Sequence, residues 1–188
     1  LLFSGCTYPS FSNPIVPPEK AERHKELFGV YQTKDPDNGE ASWLHIGQCR
    51  DGLPEGFHKF VWVSPPEPKK GDQGLIVLEY IGSLYKSGDS YLLQLPFPPD
   101  AADRQAELIS KQWGEIEISG YCVLRLKRNK DSLRLDFLNE EAVEQSIVKK
   151  KLRGKVEQET DSSTDPPTIG QKTLVVTADS DELKTFFD

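Results

Sequence analysis

The chain has 188 residues, with 23 Lys and Arg against 30 Asp and Glu, a formal net charge of −7. That length fits one domain with enough interior to bury a core. Collagen-like and wholly disordered classes are excluded by composition, no apolar run is long enough for a membrane-spanning helix, and a sequence pI near 5.1 argues against a nucleic-acid partner, which selects a concentrated basic surface.

The first six residues read Leu1-Leu2-Phe3-Ser4-Gly5-Cys6, and the sequence contains no Met, so a further segment is expected upstream of Leu1. Three apolar residues, two small ones and a cysteine look like the end of a signal peptide. They resemble the lipobox of bacterial lipoprotein precursors, with Phe3 standing where leucine is usual. The resemblance implies lipidation at Cys6, export, and attachment to a membrane of the bacterial cell envelope by an anchor that does not span it. An N-terminus that merely happens to hold a cysteine, or a secretory peptide cleaved elsewhere, is the blander alternative. Residues 7–19 carry Pro9, Pro14, Pro17 and Pro18 among Ser10, Ser12 and Asn13. Proline fixes φ and removes a donor, so this stretch reads as an extended tether ahead of a single domain over residues 20–188.

Period-2 runs bounded by Gly, Pro, Asn and Asp follow in order. Strands are expected at Leu27 to Thr33, Ser42 to Cys49, Phe57 to Ser64 and Gly74 to Lys86, the last with a bulge at Gly82. Ser87-Gly88-Asp89 reads as a hairpin turn into Ser90 to Leu95. Asp100 to Trp113 has helical spacing. Glu115 to Arg128 and Ser132 to Leu138 form the clearest hairpin, joined by Asn129-Lys130-Asp131. On the first of these, Ile116, Ile118, Gly120, Cys122, Leu124 and Leu126 share one face; Glu117, Ser119, Tyr121, Arg125 and Lys127 share the other, with Val123 the exception. That is the alternation of a half-buried strand with a solvated outer face. Asn139 to Leu152 reads as an amphipathic helix that Gly154 can end. Val156 to Gly170 is polar and proline-broken, hence a long loop, and Lys172 to Thr177 supplies a last strand. Asp179 or Ser180 then caps a terminal helix with Leu183, Phe186 and Phe187 on its apolar stripe.

About eight strands with two or three helices describe a mainly β protein, an antiparallel barrel or strongly curved sheet. A short helical segment leading into Leu27-Phe28-Gly29-Val30-Tyr31, then the strands and a C-terminal helix, resembles the lipocalin-type barrel. That family carries Gly-x-Trp on its first strand, where this chain has Gly29-x-Tyr31. The order of elements from Ser119 to Phe187 is also similar to bacterial envelope lipoproteins of uncharacterised activity. The lipocalin outline implies a carrier of a small apolar molecule.

Of the three cysteines, Cys49 and Cys122 remain if Cys6 is lipidated, and an exported domain favours pairing them; two separate buried thiols are the alternative. His45 and His58 fall on neighbouring expected strands and, with Cys49, outline a metal site, but ordinary amphipathic strand positions are the better reading. Lys149, Lys150, Lys151, Arg153 and Lys155 form the basic cluster, where cations complementing a helix C-terminus outweigh a lipid-headgroup contact. Trp43, Trp62, Tyr80 and Tyr91 are candidate ligand-lining residues at a barrel mouth, although most aromatic rings in small β domains are core.

No nucleophile, metal-protease or nucleotide-binding motif is present, and neither a cofactor nor catalysis is expected. Two function classes follow: a non-catalytic, monomeric interaction module that binds an envelope protein, or a carrier of an apolar molecule. A third class, an enzyme lacking a familiar motif, would show titratable groups clustered in a cleft. An interior filled by side chains favours the module, and an apolar cavity of several hundred Å³ the carrier. Leu, Ile and Phe dominate the inward faces, which leans toward a filled interior.

Overall fold

The computed structural model describes residues 9–34, 39–66, 74–97, 113, 117–130, 132–161 and 168–188, with backbone alone for 158–161 and 168–171. In chain order the strands are β1 (Ser10–Phe11), β2 (Gly29–Lys34), β3 (Ala41–Gln48), β4 (Phe57–Ser64), β5 (Ile76–Ser87), β6 (Ser90–Phe97), β7 (Gly120–Asn129), β8 (Ser132–Phe137), β9 (Gly154–Asp161) and β10 (Thr168–Val176). Helix α1 (Glu140–Val148) sits between β8 and β9, and α2 (Ser180–Phe187) follows β10. The protein is mainly β, as the alternation implies, and its ten strands make one curved sheet that does not close.

Strands β2 to β8 run as an antiparallel meander, and the sheet divides at β7. The start of β7 pairs with β1, Cys122 opposite Ser10 and Tyr121 opposite Phe11. Its remainder pairs with β8, from Leu124 opposite Phe137 to Asn129 opposite Ser132. Beyond β1 the second arm continues through β10 to β9, and the β1–β10 pair is parallel.

The β4–β5 register is unbroken from Phe57 opposite Ser83 to Ser64 opposite Ile76, so the expected bulge at Gly82 is absent. Gly82 serves a different need. A Cβ there would lie 2.7 Å from the Gln94 carbonyl oxygen, so only glycine lets β5 approach β6 so closely.

The sheet is buried on both faces at β6 and β7 because the period-2 alternation feeds two cores. Leu93, Leu95, Leu124 and Leu126 enter an inner core with Leu27, Ile46 and Phe60. Leu92, Tyr121 and Val123 enter an outer one with Phe11, Ile15, Val143, Leu174 and Leu183. This corrects the expectation of a solvated outer face along the whole of β7. Val123 looked exceptional because the elements that cover it lie far away in sequence.

The expected tether is the largest correction. Residues 9–16 form a strap built into the outer core, with Phe11 and Ile15 fully buried. An extended, proline-rich segment makes few hydrogen bonds of its own, so its remaining polar groups need partners before they can be buried. Gln94 on β6 supplies them. Its Oε1 accepts from the Ile15 and Val16 N–H groups at 2.8 and 3.2 Å, and its Nε2 donates to the Val16 carbonyl at 2.6 Å and to Ser83 Oγ at 2.7 Å. All four bonding positions of the amide are used. Residues from Pro9 onward, Pro9 itself buried, are therefore part of the domain rather than a tether ahead of residue 20.

The stretch Val156 to Gly170, expected as a loop, forms strands β9 and β10 where it is described, paired from Thr168–Asp161 to Val176–Gly154 with one irregularity between Ile169 and Lys172. As the outermost strand, β9 leaves one edge unpaired, and a polar, charged sequence is the usual protection for such an edge. Helix α1 starts as expected, its Asn139 side chain accepting from the Ala142 N–H at 2.9 Å. It stops at Val148 rather than running to Leu152, because Lys150 takes a left-handed φ of 55° and Leu152 turns back into the outer core. Lys172 on β10 pairs with Glu144 at 2.6 Å, fixing α1 to the sheet. Helix α2 is capped by Asp179, and Arg153 bridges Asp179 and Glu182. The helix expected over Asp100 to Trp113 lies outside the described residues except at Trp113, whose ring centroid is 4.6 Å from that of Phe57.

Gln94→Leu keeps the volume but strands three buried backbone groups of the strap. Urea unfolding is expected to show a loss of about 2–4 kcal/mol, and a loss below about 0.5 kcal/mol would mean the strap is held by its apolar contacts alone.

Candidate functional site

The inner face of the meander carries an unbroken apolar ladder across the strands. Tyr31, Leu44, Trp62 and Leu78 lie side by side on β2 to β5. Leu84, Leu93, Leu124 and Phe137 continue the same face on β5 to β8. Four strands separate β3 from β8 in the sheet order, yet Leu44 and Trp62 share a recess with Leu135 and Phe137. Only a strongly curled sheet brings them together.

The interior beneath is nearly full, with a narrow, partly open space of about 50 Å³ lined entirely by Leu, Phe, Trp and Tyr side chains. Above it the gap between β2 and β8 opens into a recess of about 200 Å³. Tyr31, Leu133, Leu135 and Phe137 form its walls, with Leu44 and Trp62 at the base shared with the interior. Tyr31 is tied down by its hydroxyl, which donates to the Leu27 carbonyl at 2.9 Å. These walls are half-buried rather than covered.

Two of the four candidate lining residues meet here. Trp62 and Tyr80 line the interior space, and burial pushes the Tyr80 hydroxyl pKa up. Trp43 is paired with Val63 one residue out of phase with Leu44, so it points to the opposite face of the sheet. Tyr91 lies on the inner face but at the other end of the curl, where it belongs to a plug.

That plug is the turn His24 to Phe28, which closes the inner core with fully buried Leu27. The His24 backbone N–H donates to His58 Nε2 at 3.0 Å, so His58 is held as the neutral ring with its proton on Nδ1. Glu26 Oε1 accepts from Tyr91 at 2.9 Å and sits 3.0 Å from His24 Nδ1. Burial raises the Glu26 carboxyl, but hydrogen bonds from its own backbone N–H, Tyr91 and His24 outweigh it and hold the pKa below the ordinary value. Burial lowers the His58 pKa to about 4. Glu26, Tyr91, His24 and His58 Nε2 are engaged with one another and with the backbone, an arrangement that fixes a turn, while His58 Nδ1 is buried without a hydrogen-bond partner among the described residues.

His45 is exposed and faces away from His58, since the two lie on opposite faces of neighbouring strands. Among the described residues no three His, Cys, Asp or Glu groups gather as a metal site. The candidate disulfide is not formed: Cys49 and Cys122 are both free. Cys122 lies in the inner core, whereas Cys49 packs against the separate Phe57–Ile81 cluster. Burial raises their thiol pKa values to about 12 and about 11, which leaves little thiolate for chemistry. Lys149 to Lys151 directly follow the α1 C-terminus.

The β2 and β8 contributions to the recess were not legible in sequence. Leu133, Leu135 and Phe137 read as an ordinary inward stripe, and nothing local says that β2 stands opposite them. No family model matches the chain, and no curated protein or solved structure matches it.

His58 gives the domain a pH dependence of defined sign. Its folded pKa of about 4 lies below the ordinary 6.5, so the unfolded chain binds more protons between those values. Stability is therefore expected to fall by about 3 kcal/mol as pH drops through that window, on the scale of about 1.4 kcal/mol per pKa unit. Denaturant unfolding at several pH values should show the slope, and His58→Gln should flatten it; an unchanged slope would remove His58 as its source.

Proposed function

We propose that this protein is a non-catalytic binding module of the bacterial cell envelope, anchored by a lipid on Cys6, that receives apolar side chains of a partner protein at the open mouth of its sheet. The observation that carries this reading is the small free volume of the interior, about 50 Å³, beside an adjoining aromatic-walled recess of about 200 Å³ between β2 and β8. A carried apolar molecule needs several hundred Å³ of enclosed space, which favours the module over the carrier. Half-buried Trp, Tyr, Leu and Phe around one recess are the residue types that anchor protein interfaces. Among the described residues, no helix is long and apolar enough to cross a membrane.

The strap adds a constraint to the anchored reading. Only Thr7 and Tyr8 separate Cys6 from buried Pro9, so little chain is left to act as a spacer. At about 3.3–3.6 Å per extended residue, the domain would stay within roughly 10 Å of the lipid attachment point.

The mouth is tested with a neutral apolar fluorescent dye. Trp62→Ala is expected to weaken dye binding at least about tenfold, the scale set by losing a large buried ring, while Trp43→Ala on the other face leaves it unchanged. Equal effects would dissociate binding from the mouth. Native mass spectrometry of the chain from Thr7 is expected to give the bare monomer mass, whereas a stoichiometric apolar adduct lost on denaturation would return the carrier reading. In a bacterial host carrying the full precursor, Cys6→Ser is expected to move the protein out of the membrane fraction and abolish incorporation of labelled fatty acid; retention at the membrane would refute the anchor.

A further inference from the structure

The segment that leads into the plug, Ala21 to His24, lies directly against the start of β4. A Cβ at Gly56 would overlap the Ala21 carbonyl group, so only glycine allows this approach. Arg23 Nε donates to the Glu55 carbonyl at 3.2 Å, and the His24 N–H donates to His58 Nε2 at 3.0 Å. The His24 ring then covers the end of the inner core. It meets Tyr91 edge-on with centroids 5.0 Å apart and lies nearly parallel to the His58 ring at 6.3 Å.

His58 can hold this segment in one protonation state alone. Nε2 must be bare to accept from the His24 N–H, and the proton then sits on Nδ1, which is buried without a partner among the described residues. A second proton would set two N–H donors against each other and leave a cation in a side chain that is 0% exposed. Burial holds the His58 pKa down to about 4; His24 and Arg23 oppose its charge as well, while the Gly56 backbone and Glu26 favour it. Glu26 is itself engaged by Tyr91 from β6, and its backbone carbonyl accepts from Arg128 on β7. On β3 and β5 the cross-strand neighbours are Gln48 and Gly82, which do not ionise. A ring released to water regains the ordinary 6.5, so opening takes up a proton and becomes easier as pH falls from 6.5 towards 4.

Relief needs only a small opening. His58 cannot leave, because β4 is paired with β3 and β5 on its two sides. The far half of the plug is tied separately, by Tyr31 to the Leu27 carbonyl and by Arg128 to the Glu26 carbonyl. Ala21 to His24 is the piece that can move at least cost. We propose that protonation of His58 releases Ala21 to His24 from β4, an acid-opened latch that turns about the ties at Glu26 and Leu27 and uncovers His58 and Tyr91 at the end of the inner core away from the mouth. The same segment carries the chain from the strap to the meander, so acid loosens the link between the two arms of the sheet while leaving each arm paired. The latch does not depend on what the mouth binds or on the lipid anchor.

The test follows amide hydrogen exchange and the histidine ring signals by NMR on the full chain carrying Cys6→Ser, between pH 7 and pH 4, with each rate referred to its intrinsic value at that pH. Protection of the His24 amide is expected to fall about a hundredfold over this range, in step with charging of the His58 ring. At pH 4 its exchange is expected to be insensitive to low urea, the mark of a local opening, whereas amides of β6 and β7 respond to urea. In His58→Gln the side-chain oxygen offers an acceptor in place of Nε2 that does not titrate, and His24 is expected to stay protected at pH 4. A thermal melt establishes that this variant folds; should it not, the coincidence of ring charging and His24 exchange in the parent chain decides. An unchanged His24 rate, a charged His58 ring beneath a protected His24 amide, urea-dependent exchange shared with β6 and β7, or the same acid response in His58→Gln overturns the proposal.

Discussion

One amide side chain determines how this domain is assembled. Gln94 sits in the middle of β6, 1% exposed, with every donor and acceptor occupied. A polar group at that depth is costly unless fully satisfied, and a proline-rich strap is equally costly to bury without partners. Each resolves the other. Because the strap is held there, Phe11 and Ile15 join the outer core, β1 enters the gap between β7 and β10, and the sheet acquires its second arm.

That second arm explains why the inner face is left open. In a closed barrel β8 would be paired on both sides, whereas here β7 divides its pairing between β8 and β1. The strap and both helices cover the outer face at β6 and β7 and bury it there without closing the sheet. Its β2 and β8 edges stand apart with apolar walls between them. The mouth is flanked by strands of one meander with matching inward stripes.

The sequence was most informative where signals are local. Strand β4 has the expected bounds because Gly56 and Pro65-Pro66 delimit an apolar alternation, and α2 begins where Asp179 can cap it. Lys150 ends α1 early through a backbone conformation that composition does not advertise. The strap escapes a sequence reading because its prolines show no periodicity and its partner is 79 residues away. Strand β9 escapes it because an edge strand is polar for protection, which imitates a loop. Trp62 and Tyr80 were legible as inward aromatics, but Trp43 depended on a register of one residue, and Tyr91 on which end of the curl the plug would close.

The pairing of β1 with β10 also constrains how the chain reaches this state. Ser10 lies opposite Val175, and Asn13 reaches the Ala178 carbonyl 165 residues away in sequence. Contacts of that span incur the loop-closure entropy of a 165-position separation before they form, and such non-local pairing slows folding. During synthesis the strap emerges well before its neighbour β10, so the outer core stays incomplete until β10 and α2 are free. A nascent chain of this design can pair the β2–β8 meander early but leaves the outer core exposed to chaperones until β10 has been made.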